Sequence, residues 1–279
     1  MSVMAVGPPR TVDGPLPTAP RHNLFEIAEE VSPERWRMGL TLWPFPSDLP
    51  SGIDPCLEGT YRTKDSGTEF DPETGHPEFV AFTAYQPIIC SAFVNDFEAL
   101  QMRAEAVLDA TDHLVAEQQL VSGLYVASPF LGDGLNNFVV LASGVTPIVG
   151  LSYLEQAIGV TAKAGVIHSD PATASAWAGA SLLEERNGQL LTVSRGTPIV
   201  VGDGYIGATA NGVAAGAGSS WAFASGPVQY ARGELVRLSD AITDSFDPAS
   251  NTIVYIAERD LAVAWDLELQ AAVSIDWTP

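Results

Sequence analysis

The most regular pattern in the chain lies near its C-terminal end. From Leu261 onward the odd positions are Leu261, Val263, Trp265, Leu267, Leu269, Ala271, Val273 and Ile275. The even positions include Asp266, Glu268, Gln270, Ser274 and Asp276. Period-two alternation predicts strands with one buried face, because successive side chains point to opposite sides. Thr252 to Ala257 is a β-rich lead-in. A second period, of three to four residues, runs from about Asn95 to Val121 through Phe97, Leu100, Ala104, Val107, Leu108, Thr111, Leu114, Val115 and Leu120. It predicts an amphipathic helix whose polar face carries Glu98, Arg103, Glu105, Asp109, Asp112 and Glu117. Asn95 or Asp96 is placed to cap its start and Gly123 to stop it. At its full length such a helix spans roughly 40 Å, enough to act as a spine.

Between and around these segments the pattern is mixed. Residues 79–92 are apolar and β-prone. Helices are expected over 152–164 and over 172–183, the second opened by Asp170-Pro171, with a buried strand at 165–168 between them. From Leu190 the pattern turns to β: 197–202, 220–224 and 228–238 read as strands, with a break at Gly226-Pro227. Residues 207–220 are small and read as a loop with a flexible tip, and 240–250 as a polar turn region. Upstream, Phe25 to Glu30 predicts a short helix ended near Ser32-Pro33. Residues 1–21 are dense in Pro and Gly and read as an extended arm. Residues 44–80 are dense in Pro, Gly, Asp and Thr, and predict an extended loop or hairpin that a neighbouring subunit would cover. The fold class is therefore α+β.

Composition sharpens this picture. Among 279 residues, 25 Gly and 20 Pro fit many turns and long connections, while 46% hydrophobic residues are ample for a core. Lys and Arg total 13 against 34 Asp and Glu, a net charge of -21. So few cations exclude strong phosphate binding by charge and adhesion to anionic membranes. The first twenty residues lack the pattern of a secretory signal, and no apolar run has the length of a membrane span. Cys56 and Cys90 make no disulfide framework and read as free thiols of a reducing cytosol.

Candidate chemistry is sparse. His168-Ser169-Asp170 holds the residue types of a hydrolase triad, but neighbours on a strand point to opposite faces, so the expected role is strand end plus helix cap. Gly202-Asp203-Gly204 and Gly212 to Gly218 lack the Lys and the following helix of a phosphate loop, and read as turns. Asp244, Asp247 and Asn251 offer oxygen donors without the spacing of a calcium loop. His22, His76, His113 and His168 are isolated, and a Cys56–Cys90–His76 metal set has no motif behind it. No cofactor, metal or catalytic residue is expected.

The order of elements resembles that of tailed-phage major capsid proteins with the Hong Kong 97-type fold. Three stretches look most like capsid proteins of phages infecting actinobacteria. The first is Cys90-Ser91 leading into Arg103-Ala104, Leu108, Glu117 and Gly123. The second is Gly165-Val166-Ile167-His168 with Gly188, Leu191-Thr192, Gly196 to Val200 and Gly204-Tyr205. The third is Asn251, Ala257-Glu258-Arg259, Trp265-Asp266 and Ala271 to Val273.

The resemblance implies an N-terminal arm (1–43), an extended loop (44–80), a peripheral domain (81–142 and 226–279) with the spine helix, and an axial α/β domain (143–225). It implies a structural subunit, not an enzyme, that assembles with itself as pentamers and hexamers into an icosahedral capsid in the host cytoplasm. Implied partners are portal, scaffolding or decoration proteins and double-stranded DNA held without sequence specificity. Some relatives weld subunits by joining a loop Lys to an Asn aided by a Glu; the matching positions are Lys64, Asn251 and Glu258. Glu258 and Arg259 also read as an ion pair across strands. Encapsulin cargo shells share the fold, and a cytosolic hydrolase is the reading from a different class.

Overall fold

The structure is a computed structural model and describes residues 15–42, 78–91, 97–133, 138–161, 164–237, 246–247 and 252–277. Among the described residues four α-helices are formed: α1 (Leu24–Ile27), α2 (Phe97–Ser122), α3 (Pro147–Val160) and α4 (Pro171–Gly179). The main strands of the two larger sheets are β1 (Phe82–Ser91), β2 (Val139–Val145), β3 (Val166–Ser169), β4 (Ile199–Val201), β5 (Ser219–Ser225), β6 (Val228–Arg232), β7 (Thr252–Trp265) and β8 (Gln270–Asp276). The class is α+β, as the periodicities require.

The predicted long helix is α2, though Asn95 and Asp96 lie outside the described residues. Gly123 follows it at φ +59 and donates its N–H to the Gln119 carbonyl at 3.0 Å. The expected helix over 152–164 begins earlier, because Pro147 fits a first helical turn. The one expected over 172–183 stops at Gly179, since Leu183–Arg186 turns back into a hairpin with Gln189–Thr192.

Two sheets share the core. In the six-stranded sheet β7 is central: it pairs antiparallel with β1 from Thr252↔Ser91 to Leu261↔Phe82, and with β6 from Leu261↔Arg232 to Trp265↔Val228. The five-stranded sheet runs in the order β2-β8-β5-β3-β4. The last two long strands of the chain therefore lie in different sheets. They are joined by a turn in which the Asp266 carboxylate accepts the Glu268 N–H at 3.0 Å. The β5–β6 connection crosses between the same two sheets beside it, at Gly226-Pro227. A Cβ on Gly226 would stand 2.6 Å from the Asp266 Cβ, so the close approach of the crossovers requires glycine there.

Alternation along β8 predicts one buried face, and the structure corrects this. Gln270 to Ile275 are all buried, the polar Gln270 and Ser274 included. The cause is a covered middle layer. Ile167, Ala222, Ala271 and Val273 face Leu154, Ile158 and Trp177 of α3 and α4. Val166, Phe223 and Ala272 face the main core with Leu24, Leu120, Tyr205 and Trp265. At its other end α2 packs on the six-stranded sheet through Ala104 and Leu108 against Phe82, Tyr255 and Leu261.

The loop expected over 207–220 is also corrected. Thr209–Ala210 and Val213–Ala214 pair as a tight hairpin. It is tied down by the Asn211 N–H to the Gly132 carbonyl at 2.9 Å and by the Trp221 indole N–H to the Val213 carbonyl at 2.9 Å.

Candidate functional site

His168 and Ser169 end β3, Asp170 follows as the cap of α4, and all three are buried. Ser225 Oγ donates to the Gly226 carbonyl at 2.8 Å. It therefore accepts from His168 Nε2–H, 2.8 Å away. That leaves Nδ1 to accept from the Tyr205 hydroxyl at 3.0 Å. Both ring nitrogens are satisfied, and burial pushes the His168 pKa down to about 3, so the ring is neutral. Asp170 is occupied elsewhere. One of its oxygens accepts the Thr173 N–H at 2.8 Å as the cap of α4, and the other accepts the Ser220 hydroxyl at 2.6 Å. The three residues form no relay; they act as strand end and helix cap.

Glu117 is the group that patterning misplaces. It belongs to the polar face of α2, yet it is fully buried, as is Asp112. The reason is that the C-terminal half of α2 is covered on its polar side too, by α1 and by the 3-10 turn Asp203–Tyr205. Glu117 Oε1 accepts the Leu24 N–H at 3.2 Å and Oε2 the Gly204 N–H at 3.1 Å. One carboxyl thus holds an N-terminal segment, the long helix and the turn after β4. Burial raises its pKa to about 7, against the two backbone donors that lower it, with the Asp203 charge adding to the rise. Burial, then the nearby Glu117 charge, pushes the Tyr205 phenol well up. Gly202-Asp203-Gly204 is indeed a turn. Its glycines are there because a Cβ at either would meet the Glu117 side chain, at 2.1 Å and 2.4 Å. A G-x-G pair and a Glu on a polar helix face are the signals in the sequence, but nothing in them says that they meet.

A second cluster, buried at Asp112 and Arg259 and open to solvent at Asp109, joins α2 to the six-stranded sheet. Arg259 Nη1 lies 2.5 Å from Asp112 and 3.0 Å from Asp109. Arg232 lies 2.8 Å from Asp112 and 2.7 Å from Asp109. The Asp109 pKa is lowered: burial raises it, and the bonds and charges of the two arginines outweigh that. Arg232 also stands over the Phe25 ring, 5.5 Å from its centre, and Phe25 stacks on Tyr230 at 4.4 Å. The expected Glu258–Arg259 pair is thereby corrected. Adjacent strand residues face opposite sides, and Arg259 turns inward to the helix aspartates.

Of the expected cross-link set, Lys64 and Asn251 lie outside the described residues. Glu258 sits half-buried on β7, opposite Val236 on one side and Tyr85 on the other. Asp244, His76 and Cys56 also lie outside them. Among the described residues, no three His, Cys, Asp or Glu cluster as a metal set, and no helix is long and apolar enough to cross a membrane. A surface hollow between Ile158, Arg195 and Val228 has its arginine engaged with the Glu155 carbonyl at 2.9 Å.

Comparison with known proteins places this architecture. A structure from Gordonia phage Cozz is 14% identical, with 97% of this chain and 91% of that one covered at a TM-score of 0.54. The capsid of an empty GTA particle is 15% identical, with 99% and 95% covered at 0.52. The holo-SrpI encapsulin complex from Synechococcus elongatus is 12% identical, with 100% and 98% covered at 0.54.

This is the fold of capsid and encapsulin proteins.

No protein-family profile and no curated relative matches the chain. Within the capsid-type fold the two clusters act as joints: Glu117 and the Arg–Asp group lock α2 to both sheets and to the segment before β1.

Proposed function

We propose that this chain is a structural subunit that assembles with itself into a closed icosahedral shell, the capsid around a tailed-phage genome. The observation that carries the reading is the end-to-end likeness to the GTA capsid, with nearly all of both chains covered. In this reading residues 1–43 are an arm, 44–80 an extended loop, 81–142 with 226–279 a peripheral domain on the spine helix, and 143–225 an axial domain. The β8 pairing refines the division, since β8 lies in the sheet of β3 and β5. Arm and loop tie neighbouring copies together in pentamers and hexamers, and many weak contacts add up on closure.

The subunit has no catalytic role in this account, and the closed hydrogen bonding of His168 supports that. It works inside the virion after assembly in the host cytoplasm. Portal and scaffolding or decoration proteins complete the particle. The net charge of -21 suits a wall that holds DNA without sticking to it.

The equal likeness to an encapsulin favours one second reading, a shell around protein cargo. Sedimentation of particles from cells expressing the chain with its genomic neighbours tests both. Fast-sedimenting particles that protect DNA from nuclease support the capsid, and particles holding a defined protein support the encapsulin-like shell. A slow monomer alone would remove both. Lys64, Asn251 and Glu258 are the proposed cross-link set: ladders of covalent oligomers on denaturing gels of assembled particles are expected, and monomer bands alone would exclude it.

A further inference from the structure

We propose that the outer surface of the α3–α4 layer, with the adjoining edge of β2, is a contact between copies of this chain. The inference rests on the shell reading and names one of the surfaces that would build the shell.

The chain is crowded with carboxylates, yet from Val139 to Leu183 its charged residues are Glu155, Lys163 and Asp170 alone. Lys163 lies outside the described residues. Glu155 and Asp170 are buried, at 8% and 5% exposure. Glu155 accepts the Ser194 hydroxyl and Asp170 caps α4, so both acids are taken up internally. The described surface of this tract therefore presents no charge. What it presents is apolar: Ile148 is 60% exposed and Val160 68%, with Val149 and Tyr153 each 38% exposed between them. A surface helix of a solvated protein ordinarily carries charge on its outer face, and this one carries none.

The neighbouring strand extends the patch. β2 pairs in parallel with β8 and is the end of its sheet among the described residues. Val139 and Val140 on it are 51% and 43% exposed. Edge strands that face water are usually guarded by Lys, Pro or a bulge toward the open side. The segment Val139-Val140-Leu141-Ala142-Ser143-Gly144-Val145 has neither charge nor Pro; its register against β8 shifts between Ala272 and Val273 and again between Val273 and Ile275, so bulges are the one guard of this edge, and they leave Val139 and Val140 exposed.

Electrostatics selects the occupant. Two copies of a chain at -21 repel, and they can approach closely only where no carboxylates meet. The α3–α4 surface is such a place. A nucleic acid or a basic protein is recognised through charge, and the described part of this surface offers none. Apolar, charge-depleted patches are the composition of the buried centre of a protein–protein contact.

The test compares wild type with Val149→Glu/Tyr153→Glu by sedimentation velocity. Both positions point outward, so the variant is expected to fold with an unchanged circular dichroism spectrum. Closed particles are expected from wild type, and at least ten-fold fewer from the variant. Equal yields would overturn the inference and leave the shell reading standing. Failure of wild type to assemble both alone and when co-expressed with its genomic neighbours would sink the shell reading, and the inference with it. A second measurement does not depend on the variant's folding: hydrogen exchange of wild-type residues 139–160 in particles and in dissociated subunits. Exchange at least ten-fold slower in particles of this chain alone is expected. Equal exchange, or protection that appears only after a second protein is added, would overturn the proposal.

Discussion

Glu117 and Gly204 are locked together: the glycine N–H donates to Oε2 at 3.1 Å, and a Cβ on Gly204 would stand 2.4 Å from the Glu117 Cβ. The Glu117 Cβ is fixed by the α2 backbone, so an alanine at 204 has to push the turn off the helix. Gly204→Ala should destabilise the fold by about 1–3 kcal/mol, the usual scale of overpacking a tight site. Urea denaturation checks this, and an unchanged midpoint would show that the turn gives way freely.

Protonation of Glu117 links the same joint to pH. Its pKa is raised from 4.5 to about 7 in the folded state. A raised carboxyl pKa means the folded protein binds the proton more tightly than the unfolded chain. The contribution is therefore full below about pH 4.5 and is lost as pH rises through 7. His168 acts in the opposite sense. With its pKa lowered from 6.5 to about 3, its contribution is present above 6.5 and fades as pH falls. Comparing wild type with Glu117→Gln leaves His168 common to both. The stability difference, wild type minus variant, should fall on the order of 3 kcal/mol between pH 4.5 and 7. Parallel pH profiles would place the titration elsewhere.

The Arg–Asp cluster predicts unequal costs for similar-looking changes. Asp112 is 1% exposed and is approached by both Arg232 and Arg259. Asp112→Ala removes the buried carboxylate, leaves both guanidiniums only the 60% exposed Asp109, and should cost about 3 kcal/mol, the lower end for breaking a buried pair. Arg37 and Asp260 pair at 3.0 Å on the surface, with side chains 58% and 32% exposed. Arg37→Ala should cost about 0–1 kcal/mol through that pair. Thermal or urea unfolding of the two variants tests the contrast, and comparable losses would contradict it.

Much of this architecture is legible in the chain. The three-to-four period of α2 and the apolar runs of β3 to β8 declare themselves locally. The order of elements carries the resemblance to capsid proteins. What sequence periodicity misses is how many layers cover a segment. Gln270 and Ser274 look like the wet side of a two-layer strand, and Asp112 and Glu117 like the wet side of a helix. Both guesses fail because α2 and the five-stranded sheet are interior layers with partners on each side. Turn chemistry is the other gap. Asn187-Gly188 and Asn211-Gly212 all take positive φ, between 52° and 83°, and each closes a hairpin in a stretch whose small or polar residues give no strand pattern.

His168 also separates the structural reading from the enzymatic one. His168→Gln removes the acceptor for the Tyr205 hydroxyl or the donor to Ser225, and should lower stability by about 1–3 kcal/mol. Because the ring contacts no solvent, no hydrolytic activity should change with it. Ester hydrolysis by wild type that His168→Gln abolishes would contradict the assignment.

The central claim, that the chain builds a shell, is tested most directly by negative-stain electron microscopy of the purified protein, alone and co-expressed with its genomic neighbours. Closed shells, or rings of five and six subunits, are the predicted result. A uniform field of monomers under both conditions would contradict it.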